Sequence, residues 1–117
     1  MKLNKFWEGL KRIANGDYVL EGNLISDETI EIDLDDRLVV TGKVISKKGI
    51  KAGWGIKAGC GIEAGEGIEA KTFIHSEKRI FAGISIYHTD QNCKKTIECA
   101  ELRKGEICFG DLIIKTE

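Results

Sequence analysis

Residues 49–72 read GIKAGW, GIKAGC, GIEAGE and GIEAKT, four near-identical six-residue units placed head to tail. A strict short period means coils stacked around one continuous core, so this stretch predicts a β-solenoid. Stepping by six from Val44 reaches Ile50, Ile56, Ile62, Ile68, Ile74, Ile80 and Ile86, and stepping back reaches Leu38 and Ile32. Two places after these lies a second column of mostly small residues: Val40, Ser46, Ala52, Ala58, Ala64, Ala70, Ser76 and Ala82. In extended chain, positions i and i+2 share a face, so both columns point inward and the residue between them points out.

Gly49, Gly53, Gly55, Gly59, Gly61, Gly65 and Gly67 flank the Ile-x-Ala triplets. There the chain bends sharply, and a positive φ or a close backbone approach penalises a Cβ. A six-residue side with a corner closes most simply as a triangle, with about 18 residues per coil and about 4.8 Å of rise. Asp17 to His88 then holds roughly four coils, a rod on the order of 20 Å tall. A disordered low-complexity linker has no reason to carry so regular an isoleucine column.

The chain has 117 residues, 42% of them hydrophobic, and a formal net charge of −1. That length supports one domain, 1–117, and so small a net charge argues for no nucleic-acid or membrane partner. The start, MKLNKFW, is too short and polar for a signal peptide, and no apolar run approaches a membrane span. The reading is a cytoplasmic protein. Cys60, Cys93, Cys99 and Cys108 form no C-x-x-C pair, and His75 and His88 are the only histidines. Free thiols packing as small hydrophobes account for them better than disulfides or a zinc site, and no metal or cofactor is expected.

Both ends read as caps. Leu3, Phe6, Trp7, Leu10, Ile13 and Ala14 form one helical stripe stopped by Asn15-Gly16, so 1–15 is expected to be an amphipathic helix covering one end of the solenoid, 16–88. A symmetric homodimer through Phe6 and Trp7 is a second use for that helix. In 89–117 the six-residue register stops. Two β patterns, Thr96 to Leu102 and Ile107 to Ile114, joined by Arg103-Lys-Gly-Glu, predict a hairpin cap, with Cys99, Leu102, Cys108 and Phe109 as contacts.

Charge is segregated: every charged residue from Asp17 to Asp36 is acidic, Arg37 to Lys57 is basic, and Glu63, Glu66 and Glu69 follow. With about 18 residues per coil, Asp33, Lys51 and Glu69 stack as one outward column and Lys48 stacks on Glu66, as ordinary cross-strand pairing. Asp35 and Asp36, with Asp27 and Glu28, find no basic partner one such coil on. Trp54 is also anomalous, because its repeat equivalents are Cys60, Glu66 and Thr72; exposed aromatics anchor interfaces, and packing under a neighbouring loop is the alternative.

Catalysis finds no support in these residues. Left-handed hexapeptide-repeat acyltransferases carry their small residue two places before the aliphatic one, where this chain has Lys48, Trp54, Cys60 and Glu66. Neither histidine has a partner spacing that marks a general base, and threonine columns of the ice-binding kind are absent. The run GIKAGWGIKAGCGIEAGEGIEA, preceded by Gly16-Asp-Tyr-Val-Leu-Glu-Gly-Asn-Leu and Leu38-Val-Val-Thr-Gly-Lys-Val, instead resembles small phage and mobile-element proteins with G-I-x-A-G-x repeats, some of them β-helical anti-CRISPR proteins. The resemblance spans roughly residues 16 to 86 and implies a non-enzymatic inhibitor that binds a bacterial CRISPR-Cas effector and blocks its action on DNA. It carries over no binding residues. A second resemblance, to bactofilins, implies a self-assembling scaffold, from which the helical start and cysteine-bearing hairpin depart. The residues expected to bind a partner are Lys51, Lys57, Glu63 and Glu69 with Trp54, and then Asp33, Asp35 and Asp36.

Overall fold

A computed structural model describes residues 2–4, 7, 10–12, 16–82 and 96–114. Strands β1 (Lys2–Asn4) and β2 (Leu10–Arg12) open the chain. They are followed by β3 (Tyr18–Leu20), β4 (Leu24–Ser26), β5 (Ile30–Asp33), β6 (Leu38–Val40), β7 (Val44–Ser46) and β8 (Ile50–Ala52). Next come β9 (Ile56–Ala58), β10 (Ile62–Ala64), β11 (Ile68–Ala70) and the long β12 (Phe73–Ala82). The last are β13 (Thr96–Cys99), β14 (Glu101–Phe109) and β15 (Asp111–Ile114).

The strands wind into a β-solenoid of about four turns with three parallel faces. One face is the stack β1, β5, β8, β11, β13, β15. The second is β3, β6, β9 and the start of β12; the third is β4, β7, β10 and the end of β12. Every third short strand therefore returns to the same face. Ile50, Ile56, Ile62, Ile68, Ile74 and Ile80 are fully buried, stacked isoleucine on isoleucine, while Ala52, Ala58, Ala64 and Ala70 fill the narrower space beside them. Ser46 and Ser76 replace alanine because their hydroxyls donate to the carbonyls of Glu28 (2.7 Å) and Cys60 (2.9 Å), leaving no buried polar group unmet there.

The repeat glycines serve close approach. Positive φ among the described residues occurs only at Gly16, Gly22, Gly105 and Gly110, none of them in the repeat. A Cβ on Gly59 would lie 2.2 Å from the Thr41 carbonyl oxygen of the coil below. One on Gly55 would lie 2.1 Å from the Phe73 ring.

Coil length varies, and this revises two expectations. Ile50 to Ile68, Leu38 to Ile56 and Val44 to Ile62 are 18-residue steps, but the step below is 20: Tyr18 pairs with Leu38, Leu24 with Val44 and Ile30 with Ile50. Two additional residues sit in the corner Leu34 to Arg37, so Ile30, not Ile32, continues the isoleucine column, and Glu31, not Asp33, stacks on Lys51. The expected N-terminal helix is not seen. Lys2–Asn4 lies parallel to β5, with Leu3 fully buried against Ile32, and Leu10–Arg12 lies antiparallel to β3. Leu3 and Leu10, read as part of a helical stripe, thus lie in strands over the first coil, which satisfy backbone groups a helix would leave open. Phe6, Ile13 and Ala14 lie outside the described residues, as do Ile86, His88 and Cys93.

The C-terminal hairpin is also replaced. β13 pairs parallel with β11, β14 parallel with β12, and β15 parallel with β13, so the chain continues to coil. The inward residues step by five, through Ile97, Leu102, Ile107 and Leu112. Gly105, at φ 137°, is no hairpin turn; it carries β14 past a register shift where β12 spends Ser76 to Lys78 rounding a corner.

Candidate functional site

The three faces differ in what they turn outward. The second presents Val19, Val39, Lys57 and His75, and the third Ile25, Ile45, Glu63 and Phe81. The first presents a charged column, Lys2, Glu31, Lys51, Glu69 and Glu98, each in register with the next. The expected set Lys51, Lys57, Glu63 and Glu69 is therefore divided among three faces, since six residues carry the chain round one corner.

Beside the charged column runs an open groove of about 1090 Å³. Its trough exists because the next outward positions include Gly53 and Ala100, which have little or no side chain. Trp54 and Thr72 stand on its far side, Trp54 40% exposed, with the Lys71 ammonium 5.8 Å from the indole centroid. Asp33, Lys51, Trp54 and Glu69, four of the expected partner-binding residues, thus meet at one groove. A second depression of about 300 Å³, at Gly49 and Gly67, borders the other side of the column, so the charges stand on a ridge.

Trp54 also borders a smaller hollow with Asp36, Arg37, Phe73 and Arg103, in which the Arg103 guanidinium lies 4.0 Å from the Phe73 ring centroid. The Thr72 hydroxyl oxygen between these hollows is buried without a hydrogen-bond partner among the described residues. Asp35 and Asp36 occupy the enlarged corner below. Asp35 accepts from the Tyr18 hydroxyl at 2.9 Å, and this bond is the first cause of a raised Tyr18 pKa; Asp36 accepts from the Arg37 amide at 2.9 Å.

The 20-residue step supplies the basic partners that Asp27 and Glu28 lack at an 18-residue spacing. Lys47 meets Asp27 at 3.4 Å, Lys48 meets Glu28 at 2.9 Å, and Arg37 pairs with the nearly buried Asp17. The hydrogen bond and charge of Lys48 draw the Glu28 carboxyl below its usual range. The acidic and basic blocks of sequence are thus largely spent on each other at the corners. On the ridge, by contrast, no ion pair among the described residues joins Glu31, Lys51 and Glu69, although they are in register.

The chain matches no family model, no curated protein and no solved structure.

One polar cluster escaped the sequence reading. His75 Nε2 lies 2.7 Å from Glu77 Oε1, and Lys104 donates to Glu77 Oε2 at 2.6 Å. These bonds, Lys104 first, hold the Glu77 carboxyl at about 2. Glu77 and Lys104 are 27 residues apart, so only the path of the last coil brings them together. Ser76, the adjacent hydroxyl, is committed to the Cys60 carbonyl. Among the described residues no three His, Cys, Asp or Glu side chains are grouped to hold a metal, and Cys60, Cys99 and Cys108 are free thiols. No described helix is long and apolar enough to cross a membrane.

Proposed function

We propose that this chain is a non-enzymatic protein-binding inhibitor, and that its partner is a bacterial CRISPR-Cas effector held back from DNA in the host cytoplasm. The observation that supports protein binding is Trp54: a large indole, 40% exposed, on a rigid corner where the fold does not require an aromatic. A preorganised aromatic beside a trough is an inexpensive anchor, because little side-chain or loop ordering is lost on association. Asp33, Asp35 and Asp36 lie along the same corner and add an acidic rim suited to a surface that otherwise meets phosphate. The effector as target follows from the likeness of the G-I-x-A-G-x run to β-helical anti-CRISPR proteins. Lys57 and Glu63, on the other two faces, are not part of this surface.

The test is affinity capture of the tagged chain from bacteria carrying defined CRISPR-Cas systems. Stoichiometric recovery of an effector supports the inhibitor; recovery of the chain alone refutes that target in the systems used. A scaffold reading draws on Leu112, Ile113 and Ile114, 41%, 38% and 48% exposed on the last rung, and Ile25, 56% exposed on the edge strand β4. Filaments in negative-stain images would favour it over the inhibitor.

A further inference from the structure

We propose that the charged ridge of the first face is a self-complementary interface, and that a second copy of this chain docks on it. The ridge reads Lys2, Glu31, Lys51, Glu69 in successive rungs, which is plus, minus, plus, minus. An alternating column of even length has one geometric property: turned end for end, it becomes its own complement. A two-fold axis lying in the interface parallel to the strands, between the Glu31 and Lys51 rungs, brings Glu31 of one copy to Lys51 of the other and Lys2 to Glu69, each twice. The alternative two-fold, along the solenoid axis, sets like charges on like charges and is disfavoured. Both copies have the same rise of about 4.8 Å per rung, so the four contacts stay in step along the ridge.

Two observations set this column apart from the other charges of the molecule. Its members are exposed and, among the described residues, not spent within the chain: Glu31, Lys51 and Glu69 have no ion pair there, and Lys2 reaches Asp33 at 3.9 Å with both side chains well exposed. The corner charges, Asp27 with Lys47 and Glu28 with Lys48, are already paired. The ridge is also raised between two depressions, at Gly53 and at Gly49, so its tips meet a flat partner before the flanks do. Alternation ends at Glu98, which follows Glu69 in register and lies beyond the four-charge overlap. Trp54 stays on the far side of the trough, at the rim of the pair; the ridge shares Lys51 and Glu69 with the partner surface, but the dimer rests on charge register and is read by mass, so either reading can fail alone.

Sedimentation equilibrium of the full chain tests the interface with three proteins. The parent is expected to run at twice its 13.0 kDa mass and to dissociate as salt is raised. Lys51→Glu sets Glu31 against a glutamate twice and is expected to weaken the dimer by about tenfold or more. The double swap Glu31→Lys with Lys51→Glu gives plus, plus, minus, minus, which is again its own complement when reversed, and is expected to restore the dimer. It places like charges next to each other within each copy, so restoration cannot come from contacts inside the chain. Far-UV circular dichroism confirms that each variant is folded. A parent that stays monomeric at high concentration and low salt would overturn the proposal, as would a double swap weaker than the single variant.

Discussion

Gly59 shows what the repeat asks of one residue. Its backbone passes so near the Thr41 carbonyl that the coil spacing, set by hydrogen bonds such as Gly59 N–H to the Val40 carbonyl at 2.8 Å, leaves no room for a Cβ. Gly59→Ala should cost about 1–3 kcal/mol, the usual range for overpacking a close contact, read by urea unfolding. A variant as stable as the parent would mean the coils part freely. Trp54 makes the opposite case, since its removal opens no core. Trp54→Ala should leave the thermal transition within about 1 °C to 3 °C of the parent while abolishing capture of the partner. Equal losses in both would assign the indole to packing.

Pairing between elements explains the charge blocks better than the residues taken singly. Acidic β4 and β5 with their corners lie one 20-residue coil below basic β7 and β8, so segregation along the chain becomes alternation across it. The same logic ties β14 to β12 through Lys104, Glu77 and His75. Glu77 is held at about 2 against an ordinary 4.5, so the folded state binds its proton more weakly than the unfolded chain. Its contribution is therefore whole above pH 4.5 and drains away as pH falls toward 2. Glu77→Gln should flatten the acid limb of the stability curve in that window, measured as Tm against pH. An unchanged limb would mean that the contact of β12 with β14 does not depend on this carboxylate. The N-terminal helix failed because Leu3 and Leu10 pair at strand edges over the first coil, and the remaining element expectations failed for a second reason. The step of the inward residues changes, to eight between Ile30 and Leu38 and to five from Ile97 onward, and a fixed six-residue ruler loses the strands on both sides. The five-residue column Ile97, Leu102, Ile107, Leu112 was present in the sequence as a signal, hidden by the glycine that resembled a turn.

At the scale of the whole molecule the core is one stack, so exposure of its interior reports on the entire solenoid. Cys99 is buried between rungs, and burial raises its thiol pKa, whereas Cys108 is exposed on β14. Iodoacetamide should modify Cys108 in the folded protein and reach Cys99 only as fast as global opening allows, resolved by mass spectrometry of timed peptides. Rapid labelling of Cys99 under native conditions would show that the last coil opens by itself.

Local periodicity is enough to specify a solenoid, because burying an isoleucine every six residues beside an alanine leaves the chain one compact way to fold, and the four units at 49–72 state that pattern outright. The outward identity of Lys51, Trp54 and Glu69 follows from the same alternation. Which outward residues share a face is a different matter. It depends on the cumulative length of each coil, and two residues added at Leu34 to Arg37 move every partner below them. Hence the meeting of Glu31 with Lys51, the pairing of Asp27 and Glu28 with Lys47 and Lys48, and the trough beside Trp54 were decided only when the coils closed on one another. Hydrogen bonding between rungs fixes register across the stack, and register is a property of the assembled turns.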